Sequence, residues 1–176
     1  MGGTRRDTPD MKREYLGTGP QIIQNEGSRA KAYSFTLRVE TSRAPEFVDI
    51  TEEICTFLRE TDVMSGLAVI YSLHTTAAIR INEKEPLLLQ DMEQFLERIA
   101  PKTAQYKHND FSLRTVNMTE DECPNGHAHC QHLMLSSSET VPILNGVPQL
   151  GQWQRIFLIE LDRPRQREIL VNVLGI

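Results

Sequence analysis

Residues 32–41, AYSFTLRVET, place Tyr33, Phe35, Leu37 and Val39 at every second position, the period of a strand with one face in a core and one in water. That period returns in AAIRIN and in REILVNVLG, while LAVIYSL is a nearly continuous apolar run of strand length. Asn145 and Gly146 separate TVPIL from VPQLGQWQRIFLIEL, and both residues accept the positive φ of a tight hairpin turn. The second arm is expected to run unbroken from Gln149 to Leu161. Strands joined by turns and lacking a regular helical crossover imply an antiparallel sheet.

Two or three short helices complete an α+β fold. Residues 48–61 offer Thr51 as N-cap, two acids in the first turn, and Ile54, Phe57 and Leu58 at helical spacing. Pro86 suits a first turn, and Leu88, Met92, Phe95 and Ile99 line one face until Pro101. Asn125 is a candidate cap for a third helix, which would align His129, His132 and Leu133; in a strand His127 and His129 would share a face instead. Ser65 and Gly66 are expected to break the chain between helix and strand. LAVIYSL and AAIRIN form two strands, or one with an irregularity at His74.

At 176 residues the chain fits one domain, residues 29–176, preceded by a flexible extension over residues 1–28 without sustained periodicity. A formal charge of −5 has the wrong sign for coating nucleic acid phosphates. No apolar run reaches the length of a membrane helix and the N-terminus lacks a secretory h-region, so the chain is expected to be soluble and cytoplasmic, with no nucleic acid or membrane partner. Cys55, Cys123 and Cys130 are odd in number and lack CxxC spacing, which fits a reducing compartment.

Four of the five histidines, His108, His127, His129 and His132, fall within 25 residues, inside or beside a polar, aperiodic stretch too long for an ordinary connection. Neutral imidazole is the commonest metal ligand, and a catalytic zinc needs three protein ligands and an open position. The same residues suit solvated histidines on a loop, or a thiolate site using Cys123 and Cys130. His74 follows a buried apolar run, where a strand end presents side chains to a cleft. Asn82 and Glu83 supply oxygen donors for a cation, or turn chemistry. Ser136, Ser137 and Ser138 offer hydroxyls to an oxyanion. Glu160 shares a strand face with Ile156 and Leu158 and needs a partner, for which the histidines are candidates. Phosphate-loop and nucleophile-elbow motifs are absent.

HTTAAIRINE, DMEQFL, YKHND, NGHAHCQHLML and LGQWQRIFLIELDRPR stand in an order and spacing that resembles the YjbQ-like family, over roughly residues 33–175. The resemblance implies an antiparallel β-sandwich assembled as a homotrimer, with shared polar residues in a pocket near a subunit interface. It also implies a secondary thiamine-phosphate synthase activity, joining a pyrimidine diphosphate to a thiazole phosphate with release of pyrophosphate. Position by position, it puts His74, His108 and His129 at the metal. Glu83, Asp91 and Glu160 become the catalytic acids, and Asn82, His127, Trp153 and Gln154 the substrate-binding set, to which Ser137 of the serine cluster is added for its hydroxyl. The chain departs from the family pattern at Asn109–Asp110, at Ser136, and at Gln131, where a lysine is usual; loss of that charge bears on phosphate chemistry.

A metal-dependent enzyme acting on a phosphorylated ligand is the first functional expectation. Three histidines suit zinc better than magnesium, which prefers oxygen ligands, and this favours hydrolytic or lyase-like chemistry as the native reaction. The alternative is a non-enzymatic trimeric module binding a small anion or a protein.

Overall fold

The computed structural model describes residues 13–16 and 30–176. The rest of the expected extension lies outside the described residues. Within it, β1 (Arg13–Leu16) pairs antiparallel with β2 (Lys31–Glu40), Arg13 opposite Val39, so those four residues belong to the sheet.

Among the described residues, nine strands form two antiparallel sheets. Beyond β1 and β2, the chain runs through β3 (Glu46–Asp49), α1 (Thr51–Glu60), β4 (Ser65–Ser72), β5 (Ala77–Glu83) and α2 (Pro86–Ile99). It continues with α3 (Gly126–Leu133), β6 (Ser138–Leu144), β7 (Val147–Pro148), β8 (Gln154–Glu160) and β9 (Gln166–Gly175). One sheet has the order β1-β2-β9-β4-β6-β7 and the other β3-β8-β5. The fold is therefore α+β, with two sheets packed face to face and three helices.

Alternation in β2, β4, β6 and β9 sends Leu37, Ile70, Val141 and Val171 inward, where they meet Val48, Ile79, Ile156 and Leu158 of the smaller sheet and Ile54, Phe57 and Leu58 of α1. The other face of the smaller sheet is covered too. There Ala78, Phe157 and Ile159 pack with Leu96 of α2 and Ala128 of α3. A strand covered on both faces has no reason to alternate, and residues 156–160 are all buried.

Local chemistry explains where element boundaries depart from expectation. Asp49, two residues before Thr51, accepts the Thr51 N–H and hydroxyl through Oδ1, so Thr51 is the first helical residue instead of the cap. Gly66 lies inside β4, opposite Gly175. Asn145 and Gly146 have φ of 54° and 72° and make the expected hairpin, but its second arm is only β7. Pro148 ends the pairing, Gly151 donates to the Gln154 side chain across a turn, and β8 then enters the other sheet.

The expected inner face of α2 is also rotated. Leu96 is its one fully buried residue among the described contacts, while Phe95 and Ile99 are 53% and 41% exposed. Gln131 of α3 fixes this setting by donating to Leu96 O and Ala100 O at the helix C-terminus, and the Glu85 carboxylate caps the other end.

Candidate functional site

The chain leaves the larger sheet at Ser72 and joins the smaller one at Ala77, with the Ser72 hydroxyl donating to Ala77 O across the corner at 2.6 Å. His74 occupies that corner. Its Nε2 accepts the backbone N–H of Glu168 at 2.7 Å.

His108 arrives from the long polar segment, on a 3-10 turn at Lys107–Asn109. Asn109 accepts the Gly126 N–H at 2.8 Å, tying this turn to the start of α3. A Cβ on Gly126 would lie 2.5 Å from the Tyr106 side chain, so glycine is required for the approach. The result brings the His108 ring within 4.7 Å of the His129 ring, edge to face. The His108 Nε2 is buried without a hydrogen-bond partner.

His74, His108 and His129 line one pocket of about 450 Å³, together with Arg114, Asn125 and Arg165. Burial, then the Arg167 charge, pushes the His74 pKa down; burial, then His108, does the same for His129. Both rings are thereby biased to the neutral, ligating form at pH 7. Among the described residues no three His, Cys, Asp or Glu side chains stand together in a cluster able to hold an ion. His108 and His129 offer two imidazole donors, one fewer than the three protein ligands of a catalytic zinc, whereas His74 has committed one ring nitrogen to the backbone.

Beneath the pocket, Glu160 is fully buried, and its partner is Arg167 instead of a histidine. Arg167 Nε donates to Glu160 at 2.6 Å and Nη2 to the Thr76 hydroxyl at 3.0 Å, while the Leu161 and Asp162 N–H groups also reach the carboxylate. With its oxygens committed in this way, Glu160 positions the corner that carries His74.

The remaining sequence candidates lie elsewhere. His127 is 4% exposed on the inner side of α3, held by the Leu161 backbone, and is absent from the pocket wall. The Ser137 hydroxyl contacts His132 Nε2 at 3.4 Å. Glu83 pairs with Gln154 at the far end of β5 and β8, six residues beyond the Ala77–Glu160 pair, hence about 20 Å away along the strands. Asn82 donates to Met92 Sδ there, beside an apolar groove of about 440 Å³; Trp153 is 64% exposed and Asp91 faces solvent. Gln131 is buried against α2 and does not reach the histidine pocket.

Sequence patterning does not mark Arg114 or Arg165 for the site, and it gives Asn109 and Asn125 other roles, the latter the helix N-cap that it is. The available signal was DRPRQR, where Arg165 and Arg167 stand two apart at the start of a strand.

No helix among the described residues is long and apolar enough to cross a membrane. The sequence model of the "UPF0047 protein YjbQ-like" family matches residues 35–176. A UPF0047 protein of Methanothermobacter thermautotrophicus is 39% identical over 145 residues, spanning 82% of this chain and 94% of the relative. UPF0047 protein YugU of Bacillus subtilis is 34% identical, spanning 80% and 98%. Among solved structures, a YbjQ-like protein of unknown function from Sulfolobus solfataricus superposes with a TM-score of 0.76 at 32% identity, over 84% of this chain and 100% of that one. A hypothetical protein from Aeropyrum pernix gives 0.70 at 33%, over 82% and 98%.

Proposed function

We infer, from the premise that the chain belongs to the UPF0047 YjbQ-like family, that its histidine pocket binds a small phosphorylated substrate together with a divalent metal, zinc before magnesium, and acts on it as an enzyme. The observation that carries this is the meeting of His108 and His129, with the His108 Nε2 buried and unpartnered in a pocket that also presents Arg114 and Arg165. An unsatisfied buried ring nitrogen is costly unless a ligand meets it.

His108 and His129 would hold the ion, which when bound supplies a Lewis acid for phosphoryl oxygens. Arg114, kept in place by Glu122, and Arg165, kept in place by Asp162, offer charge-assisted hydrogen bonds to the phosphate. The thiamine-phosphate synthase reaction, with pyrophosphate as leaving group, is the first to assay, and metal-assisted hydrolysis of a phosphate ester the next. Gln131 lies outside this pocket, so the missing lysine charge does not weaken the phosphate reading. A metal-free anion-binding module is the second reading, favoured by the Glu168 N–H already on His74.

Calorimetry with inorganic pyrophosphate decides between them. Binding that weakens at least about tenfold after chelation supports the enzyme reading. Equal affinity with and without zinc supports the module.

We also propose the homotrimer, through the outer face of the larger sheet. Leu67 and Leu174, opposite each other in register, are 47% and 57% exposed, and Tyr71 is 42% exposed on the same face. Apolar side chains grouped in this way mark an association surface. Paired Leu67→Asp and Leu174→Asp substitutions should reduce the mass seen by light scattering from three chains to one; an unchanged mass would place the interface elsewhere or remove it.

A further inference from the structure

His74 differs from the other two pocket histidines in what its ring already does. β9 is bonded to β4 as far as Ser72 opposite Ile169, and the Leu73 N–H reaches Glu168 O at 3.2 Å. In an antiparallel ladder, the N–H and C=O of one residue point to the same neighbouring strand. The Glu168 N–H is therefore aimed at the strand position that β4 vacates, and the His74 imidazole fills it through Nε2. The donor is backbone, so this contact does not depend on which side chain stands at 168.

A ring nitrogen that accepts an N–H carries no proton, and a neutral imidazole then carries its proton on the other nitrogen. Nε2 has its lone pair in use, and Nδ1 has none to give. We propose that His74 is an Nδ1–H donor to the bound anion and is not a ligand of the metal. The inference rests on the pocket reading above and divides the labour within it. His108 and His129 supply lone pairs to the cation, and His74, Arg114 and Arg165 supply N–H groups to the phosphoryl oxygens. The substrate class follows: an oxyanion with several acceptors and no donor directed at His74.

The test pairs a spectroscopic measurement with variants. Nitrogen-15 correlation spectra of the wild-type imidazoles should give His74 as the Nδ1–H tautomer, unchanged by zinc and perturbed by pyrophosphate. His74→Ala should keep the zinc content of the wild type and bind pyrophosphate about 10- to 100-fold more weakly, the loss of one hydrogen bond to a charged group. His74→Asn, whose amide N–H approximates Nδ1–H, should recover part of that affinity.

A proton on Nε2, zinc lost from His74→Ala as completely as from His129→Ala, or undiminished pyrophosphate binding in His74→Ala would each overturn the assignment. A wild-type protein free of zinc would instead sink the metal half of the functional reading. The tautomer and the pyrophosphate affinities would still decide the role of His74.

Discussion

Arg167→Ala should destabilise the fold by about 3–5 kcal/mol, read as a lowered urea midpoint at neutral pH, because it leaves the Glu160 charge buried and uncompensated. Arg167 and Glu160 are 1% and 0% exposed, so both charges are desolvated and rely on each other and on their hydrogen bonds. The loss approaches a large share of the 5–15 kcal/mol that holds an ordinary domain together. Replacing both partners by apolar residues, Arg167→Met with Glu160→Leu, should recover much of it, since a buried pair is far more costly to break than to remove. If the single variant is as stable as the wild type, the buried pair is not what holds this corner. Arg167→Ala also frees the Thr76 hydroxyl and leaves Thr76 O only the Leu161 N–H, two residues from His74, so the pocket should lose ligand affinity even where the fold survives.

His129→Ala has the second large effect. With one of two lone-pair donors removed, metal affinity should fall by two orders of magnitude or more, beyond the 10- to 100-fold typical of residues that merely orient a ligand. Stability should change little, because α3 is anchored by His127, Ala128 and Gln131 on its inner side and His129 is only partly buried. Asn109→Ala should act through His108 instead. It removes the acceptor for the Gly126 N–H, loosening the turn while leaving both imidazoles in the chain.

How much could be seen in advance depended on what each residue faces. β2 and β9 each have one face in the core and one toward solvent, so their alternation was plain in the sequence. β8 is buried on both faces and carries no such signal, which is why the arm after Gly146 looked like one long strand instead of a short β7 and a strand in the other sheet. The α2 face was misplaced because apolar spacing gives a helix its stripe but not the neighbour that claims it. Gln131 and the smaller sheet claim Leu96 and leave Phe95 outside.

Convergence of His74, His108 and His129 on one wall was expected from the family resemblance, and local periodicity alone could not have given it. A 3-10 turn, an asparagine on a helix N-terminus and a sheet corner bring together residues up to 55 positions apart. Asn82 and Glu83 share a motif with His74, yet strand length carries them, with Gln154 opposite Glu83, to the other end of β5 and β8 within one chain.

Metal content per chain, measured by inductively coupled plasma mass spectrometry on protein purified without a histidine tag or chelator, decides whether His108 and His129 hold an ion. Zinc is expected near one equivalent per chain in the wild type and lost in His108→Ala and His129→Ala. Folded wild-type protein that holds no transition metal and takes up none from added zinc would contradict it.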